Sequence, residues 1–199
     1  MLNSKMNNYA VIILAAGQSK RLGRAKQLVP YKGKTLLNRA IETAFETKIE
    51  NIFVVMGAHF EEIKASVANK NIFILKNENF EQGMASSIQC GLRHIISLTP
   101  HIENVIFMVC DQPFVDSDLL LNLIAVHKKS DLPIVASQYN EVLGTPALFN
   151  QSFFNQLLNL KGDAGAGKLI KQNLKQVAVV PFENGFLDID TQEDIKFLF

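Results

Sequence analysis

The sequence predicts an α/β fold, a mostly parallel sheet flanked by helices. Three observations carry this prediction. Up to residue 130, short apolar runs alternate with amphipathic stretches. The runs are apolar at consecutive positions rather than at every second one, as in strands buried on both faces. The connections between them are long enough to hold a helix, which parallel neighbours require.

The elements follow in order. Residues 10–15 (AVIILA) form a buried strand. In 35–45, Leu36, Leu37, Ala40, Ile41, Ala44 and Phe45 share one helical face, with Thr35 placed as N-cap. NIFVVM (51–56) is the second strand, a helix covers 59–68, and NIFIL (71–75) is the third strand. Ile88, Leu92, Ile95 and Ile96 recur at helical spacing within 84–98. NVIFMV (104–109) is the fourth strand, and Asp116-Ser117-Asp118 opens a helix of about three turns. After residue 130 the rhythm changes. LPIVASQY (132–139) and GTPALF (144–149) read as strands close together, followed by helices near 152–158 and 164–173 and a strand at 176–180. The last helix takes Thr191 as N-cap, with Asp194 at the capping-box position.

With 199 residues, no linker and no repeat, the chain reads as a polar, flexible leader over 1–8 and a single domain over 9–199. With a net charge of +1, no basic excess argues for nucleic acid as the main partner, and none is expected. No apolar run spans a bilayer, and the polar start is not a signal peptide. Cys90 and Cys110 sit in apolar surroundings, as buried free thiols of a cytoplasmic protein do. His59, His94, His101 and His127 show no metal-ligand spacing.

Against that nearly neutral background, residues 15–26 (AAGQSKRLGRAK) concentrate glycine and positive charge just after the first strand. Gly17 and Gly23 permit close backbone approach and a nest of N–H groups that favours anions, while Arg21 and Lys26 add charge. The combination suits a polyphosphate. GDAGAGK (162–168) matches a phosphate-loop pattern only superficially, because Leu169 replaces the hydroxyl and a helix rather than a strand precedes it. It can still favour an anion at the helix start. Asp111 ends the fourth strand, and alternation in FLDIDT puts Asp188 and Asp190 on one face with Ile189 on the other. A basic loop, acids able to hold Mg²⁺ and no nucleophile triad point to phosphoryl or nucleotidyl transfer.

The motifs LAAGQSKRLGRAKQL, GMASSIQCGL, VCDQPFV, GTPALF, GDAGAG and LDIDTQEDI, in this order, resemble the molybdopterin nucleotidyltransferases, in particular the molybdenum cofactor cytidylyltransferase branch. The resemblance covers nearly the whole chain. It implies a Rossmann-like fold of the nucleotide-diphospho-sugar transferase type. It also implies transfer of CMP from CTP to the terminal phosphate of molybdopterin, with Mg²⁺ or Mn²⁺ and release of pyrophosphate. By the same resemblance Lys26, Arg21 and Asp111 are catalytic. Leu14, Ala15, Ala16, Gly17, Gln18, Ser19, Arg21, Gly23, Lys26, Asn77, Gly83, Ser86, Ser87 and Asp111 bind nucleotide. Gln112, Pro113, Gly144, Thr145, Pro146, Gly162, Asp163 and Gly165 face the acceptor, and Asp111, Asp190 and Asp188 hold the metal. A molybdenum hydroxylase is the candidate recipient of the product. The methyl of Ala16, where guanylyltransferases typically carry glycine, favours a pyrimidine. Thr145 and Gln192 stand where many relatives carry His and Pro. The alternatives are GTP as donor, another small phosphate acceptor, or a non-catalytic maturation chaperone.

Overall fold

The computed structural model describes residues 6–68 and 71–198. The strands are β1 (Tyr9–Ala15), β2 (Pro30–Tyr31), β3 (Lys34–Thr35), β4 (Asn51–Met56), β5 (Phe73–Lys76), β6 (Asn104–Val109), β7 (Ile134–Tyr139), β8 (Val142–Asn150) and β9 (Val177–Pro181). The helices are α1 (Leu36–Glu46), α2 (Phe60–Ser66), α3 (Met84–Leu98), α4 (Ser117–Ser130), α5 (Phe154–Leu158), α6 (Ala166–Gln172) and α7 (Gln192–Ile195). Seven strands form one sheet in the order β5-β4-β1-β6-β8-β7-β9, and β2 and β3 form a separate ladder. Every pairing in the large sheet is parallel except those of β8, which runs against both β6 and β7. The fold is the predicted α/β class. A tight turn joins β7 to β8 because Asn140 and Glu141 both take positive φ.

Both faces of the sheet are covered. On β1, Val11 and Ile13 pack with Leu37, Ile41 and Leu120 of α1 and α4. Ala10, Ile12 and Leu14 point the other way, into a core with Ile88 and Leu92 of α3, Leu157 of α5 and Ile170 of α6. This period-2 split of an all-apolar strand explains why its sequence does not alternate. Gly91 lets α3 lie close on the sheet: a Cβ there would stand 2.9 Å from Ile12 Cδ1. Thr35 caps α1 by accepting from Asn38 N at 3.2 Å, and Asp116 caps α4 by accepting from Leu119 N at 2.8 Å.

A third, smaller core joins distant parts of the chain. Leu22, Val29, Tyr31 and Leu36 pack with Ile189 and Leu198. The loop after β1 and the C-terminal segment are thereby fixed to one another. The capping box at α7 completes this corner: Asp194 Oδ2 accepts from Thr191 N at 2.7 Å and from Asp190 N at 3.0 Å.

Several boundaries differ from expectation. The helix expected over 59–68 is α2, and it stops at Ser66 because Val67 turns to extended backbone. Lys32 and Gly33, both at positive φ, close the β2–β3 ladder that the sequence reading passed over. Of the leader expected over 1–8, residues 1–5 lie outside the described residues. Residues 6–8 are held down: Met6 O accepts from Tyr9 N, and Asn8 O accepts from Asn104 N, each at 3.0 Å.

Two outcomes follow from this packing. Phe107 is fully buried on β6, against Phe149, and Phe107→Ala is expected to cost about 3–5 kcal/mol in chemical denaturation. Phe197→Ala, at a side chain 64% exposed, is expected to stay within about 0.5 kcal/mol of wild type. The hydrogen bonds that Asp194 accepts outweigh its slight desolvation and hold its carboxyl below its ordinary value. A depressed folded-state pKa gives stability that is present above the unfolded value and lost as pH falls through the folded one. Asp194→Asn is therefore expected to destabilise by about 1 kcal/mol at neutral pH, with the difference from wild type shrinking below the ordinary carboxylate range.

Candidate active site

The order β4-β1-β6 reverses the direction of the chain's progress across the sheet, and such a switch point leaves a crevice beyond the carboxyl ends of the strands. Leu14 and Val109 pair as the last neighbours of β1 and β6. Beyond them begin the glycine and basic loop on one side and Asp111 on the other. A cleft of about 380 Å³ opens here. Leu14, Ala15, Ala16, Gly17, Gln18, Gly83, Ser87, Lys26, Asp111 and Asp163 line it, all of them expected site residues.

Lys26 closes one end of the cleft. Its Nζ donates to Asp111 Oδ2 in a short contact and to Asp190 Oδ1 at 2.9 Å. Lys26 and Asp111 are only 16% and 13% exposed at their side chains, so the pair is largely withdrawn from water. Burial alone would lower the Lys26 pKa, but Asp111 above all, then Asp190, raises it beyond its ordinary value. The group is an ammonium ion at any physiological pH. The second oxygen of Asp190 accepts from Arg21 Nη2 at 2.6 Å, at a guanidinium that is 70% exposed. Arg21 thus faces Asp190, outside the residues lining the cleft.

Asp188 completes the acidic group. It is an exposed residue; partial desolvation of its carboxyl, with Asp111 and Asp190 nearby, pushes its pKa up to about 6, while Lys26 and a hydrogen bond from Gln112 pull the other way. Ile189, between the two aspartates, is buried and donates its N–H to Asp111 O at 3.0 Å. That bond lashes the C-terminal segment to the end of β6 and delivers Asp188 and Asp190 to the site. The Cys110 thiol next to Asp111 is pushed up to about 12 by burial and by that carboxylate, which makes it inert as a nucleophile.

The remaining expected residues fall into support and second-cavity positions. Ser19, at positive φ, accepts from Lys26 N at 3.0 Å, and with Gly23, also at positive φ, it shapes the loop. Asn77 is buried and donates to Ser86 Oγ at 2.9 Å and Ser87 Oγ at 3.1 Å; Asn77 and Ser86 border a separate hollow behind the cleft wall. Gly83, at φ 96°, packs so closely on Gly162 that a Cβ would stand 2.5 Å from its backbone. Gly144, Thr145 and Gly165 line a neighbouring cavity of about 360 Å³, which shares Leu14, Met84 and Val109 with the cleft. Gln112, Pro113 and Pro146 are buried. Gln112 donates to Gly185 O at 2.9 Å, and Pro146, after a cis peptide bond, accepts from Ser137 Oγ at 2.7 Å.

Sequence reasoning passed over residues that the fold brings here. Gln27 is fully buried, and its Nε2 donates to Ala15 O at 2.8 Å and Gly17 O at 3.1 Å, fixing the turn out of β1. Its only signal was a polar residue between Lys26 and the apolar pair Leu28-Val29. Phe80 and Met84 form cleft wall, and Lys168, Lys171 and Tyr139 line the second cavity. Lys168 stood in GDAGAGK, where the phosphate-loop pattern obscured its place in the first turn of α6.

Carboxylates, a buried ammonium and a backbone turn facing a cleft can bind a nucleoside triphosphate and neutralise charge on it. Asp111 and Asp190 converge on one positive atom and offer the hard oxygen donors that Mg²⁺ and Mn²⁺ prefer. Among the described residues no group of three or more Asp, Glu, His or Cys side chains is gathered as a metal site, so Asp188 does not complete a set of three, and the two carboxylates fit a divalent cation that takes its other ligands from substrate phosphates and water. Among the described residues no helix is long and apolar enough to cross a membrane.

The chain is 26% identical over 193 residues to the purine catabolism protein PucB of Bacillus subtilis, covering 92% of each. It is 24% identical over 185 residues to the molybdenum cofactor cytidylyltransferase of Escherichia coli, covering 92% of this chain and 91% of that one. Rv0371C of Mycobacterium tuberculosis, solved in complex with manganese, superposes with a TM-score of 0.80 at 25% identity over 96% of this chain and 97% of that one. The model of the MobA-like NTP transferase domain matches residues 11–177. The chain belongs to the MobA-like NTP transferase family, and it is a nucleotidyltransferase.

Proposed function

We propose that the protein transfers CMP from CTP to the terminal phosphate of molybdopterin, in a reaction that depends on Mg²⁺ or Mn²⁺. The observation that carries this reading is the convergence of Lys26, Asp111 and Asp190 at the mouth of a cleft floored by the turn after β1. Nucleotide binding is assigned to Leu14, Ala15, Ala16, Gly17 and Gln18, with Gly83 and Ser87 opposite them. Ser19, Gly23, Asn77 and Ser86 hold that cradle in shape. The methyl of Ala16 narrows the base end of the cleft, which favours cytosine over a purine. An acceptor phosphate oxygen forms a bond to the α-phosphorus, the bond from that phosphorus to the bridging oxygen breaks, and pyrophosphate leaves with the electron pair. Lys26 neutralises charge growing on the α-phosphate oxygens, and Arg21, once released from Asp190, neutralises the outer phosphates. A cation held by Asp111 and Asp190, with Asp188 beside them, supplies further charge neutralisation when bound.

The adjoining cavity is the assigned acceptor site. Gly144, Thr145 and Gly165 form its walls, with the buried Gln112, Pro113 and Pro146 as the frame, and Gly162 and Asp163 assigned to the boundary with the nucleotide cleft, which Asp163 lines. Lys168 and Lys171 give it the positive charge that a phosphate-bearing acceptor needs. Residues 9–199 act as one domain in the cytoplasm in this reading, and a molybdenum hydroxylase takes the product.

Melting of the purified protein with CTP, GTP, ATP or UTP, each with and without Mg²⁺, tests the donor, because a ligand of the native state raises the melting temperature by mass action. A Mg²⁺-dependent rise with CTP alone is expected. A rise with GTP instead would overturn the base assignment, and no rise with any nucleotide would overturn the reading. Asp111→Asn is expected to abolish turnover with the fold intact in melting. Lys26→Ala is expected to lower kcat by about 10²–10³-fold, the usual loss for one preorganised charge-stabilising donor.

A further inference from the structure

The ammonium of Lys26 stands where the two carboxylates Asp111 and Asp190 converge, and it donates to one oxygen of each. These are also the oxygens best placed to take a divalent cation. The other oxygen of Asp190 is engaged by Arg21. A small hard cation needs several free oxygens at once, and here two carboxylates spend theirs on a lysine. Lys26 and Asp111 are largely withdrawn from water and Asp190 partly so, and the three charges depend on one another: removing the lysine without a replacement would leave like charges facing each other. Lys26 also borders the nucleotide cleft, so its side chain has an anionic destination once a triphosphate arrives.

We propose that Lys26 and the divalent cation are alternative occupants of one position between Asp111 and Asp190. The lysine is the resident of the nucleotide-free protein, and it yields that position only when a triphosphate draws it into the cleft. The proposal rests on the assignment of Asp111 and Asp190 as cation ligands. Its consequence is that the cation alone binds poorly and nucleotide and cation bind in concert. A site whose competent state is rarely populated shows an affinity reduced by that fraction. Lys26 then has two tasks: it keeps the acids apart from stray cations, and it carries charge to the phosphates on loading.

Mn²⁺ binding in the absence of nucleotide, read by electron paramagnetic resonance of the free ion, tests this directly on the wild type and on Lys26→Ala, Lys26→Met and Arg21→Ala. Lys26→Met keeps most of the aliphatic stem and guards against loss of the fold, which melting checks for each variant. Both Lys26 variants are expected to bind Mn²⁺ about tenfold or more tightly than wild type, since removing the resident restores the competent state. Arg21→Ala removes an equal charge from the exposed side of Asp190 and is expected to stay within about threefold of wild type. Lys26 variants that bind no more tightly than wild type would overturn the proposal. So would equal tightening in Arg21→Ala, which would show a general effect of charge. Melting of the wild type and Asp111→Asn with CTP and Mn²⁺ separates the two levels. A rise in the wild type that Asp111→Asn loses, with no tightening in the Lys26 variants, removes this inference alone; no rise in the wild type removes the cation assignment and the inference together.

Discussion

The site depends on one ammonium group shared by two carboxylates. Lys26, Asp111 and Asp190 come from the loop after the first strand, the end of the strand beside it, and the C-terminal segment. Each charge would be costly in its partly buried place, and each is tolerated because the others are there. The chain therefore has to bring three remote stretches to one point within hydrogen-bond reach. Much of the local architecture serves that demand. Ile189 enters the small core with Leu22, Val29 and Tyr31, and its N–H bonds to Asp111 O, so apolar burial fixes what charge alone would hold loosely.

The sheet supplies the frame. Parallel strands with the reversal between β1 and β6 open a crevice where backbone N–H groups and side chains from two neighbouring loops meet. Gln27 stiffens the first of these loops by bonding to Ala15 O and Gly17 O. The second half of the chain adds β8, antiparallel to both neighbours, which lets β7 and β8 follow each other through a tight turn and places Gly144 and Thr145 beside the cleft. The result is two adjoining cavities with a shared wall of Leu14, Met84 and Val109, as a reaction between a nucleotide and a second substrate requires.

Much of this was legible before any coordinates. Strands 51–56 and 104–109 and helix 84–98 fall where the apolar pattern set them, because the strands are buried along almost their whole length and the helix buries one face through Ile88, Leu92 and Ile95. Thr35, Asp116 and the Thr191–Asp194 box cap the helices that the sequence assigned to them. The direction of β8 was not legible, since an apolar run does not say which way it pairs. The β2–β3 ladder had a signal in Lys32-Gly33 that was lost in its shortness. At the site, residue types and loop positions named the acids and the basic loop, but which acid meets which base was beyond the pattern. Arg21, expected to face phosphate, lies against Asp190, an outcome set by the packing of Ile189 some 170 residues away in the chain. Lys168 and Lys171 join the second cavity because α6 packs against β8, a contact the sequence pattern does not show.

The proposed reaction is transfer of a cytidylyl group from CTP to a pterin phosphate. The most direct measurement incubates the purified protein with CTP, Mg²⁺ and molybdopterin, and follows CTP, pyrophosphate and pterin by phosphorus NMR and mass spectrometry. Equimolar loss of CTP and gain of pyrophosphate are expected, with a pterin product heavier by one cytidylyl group. Unchanged CTP in the presence of intact molybdopterin, from a protein that binds CTP and Mg²⁺ in melting, would contradict it.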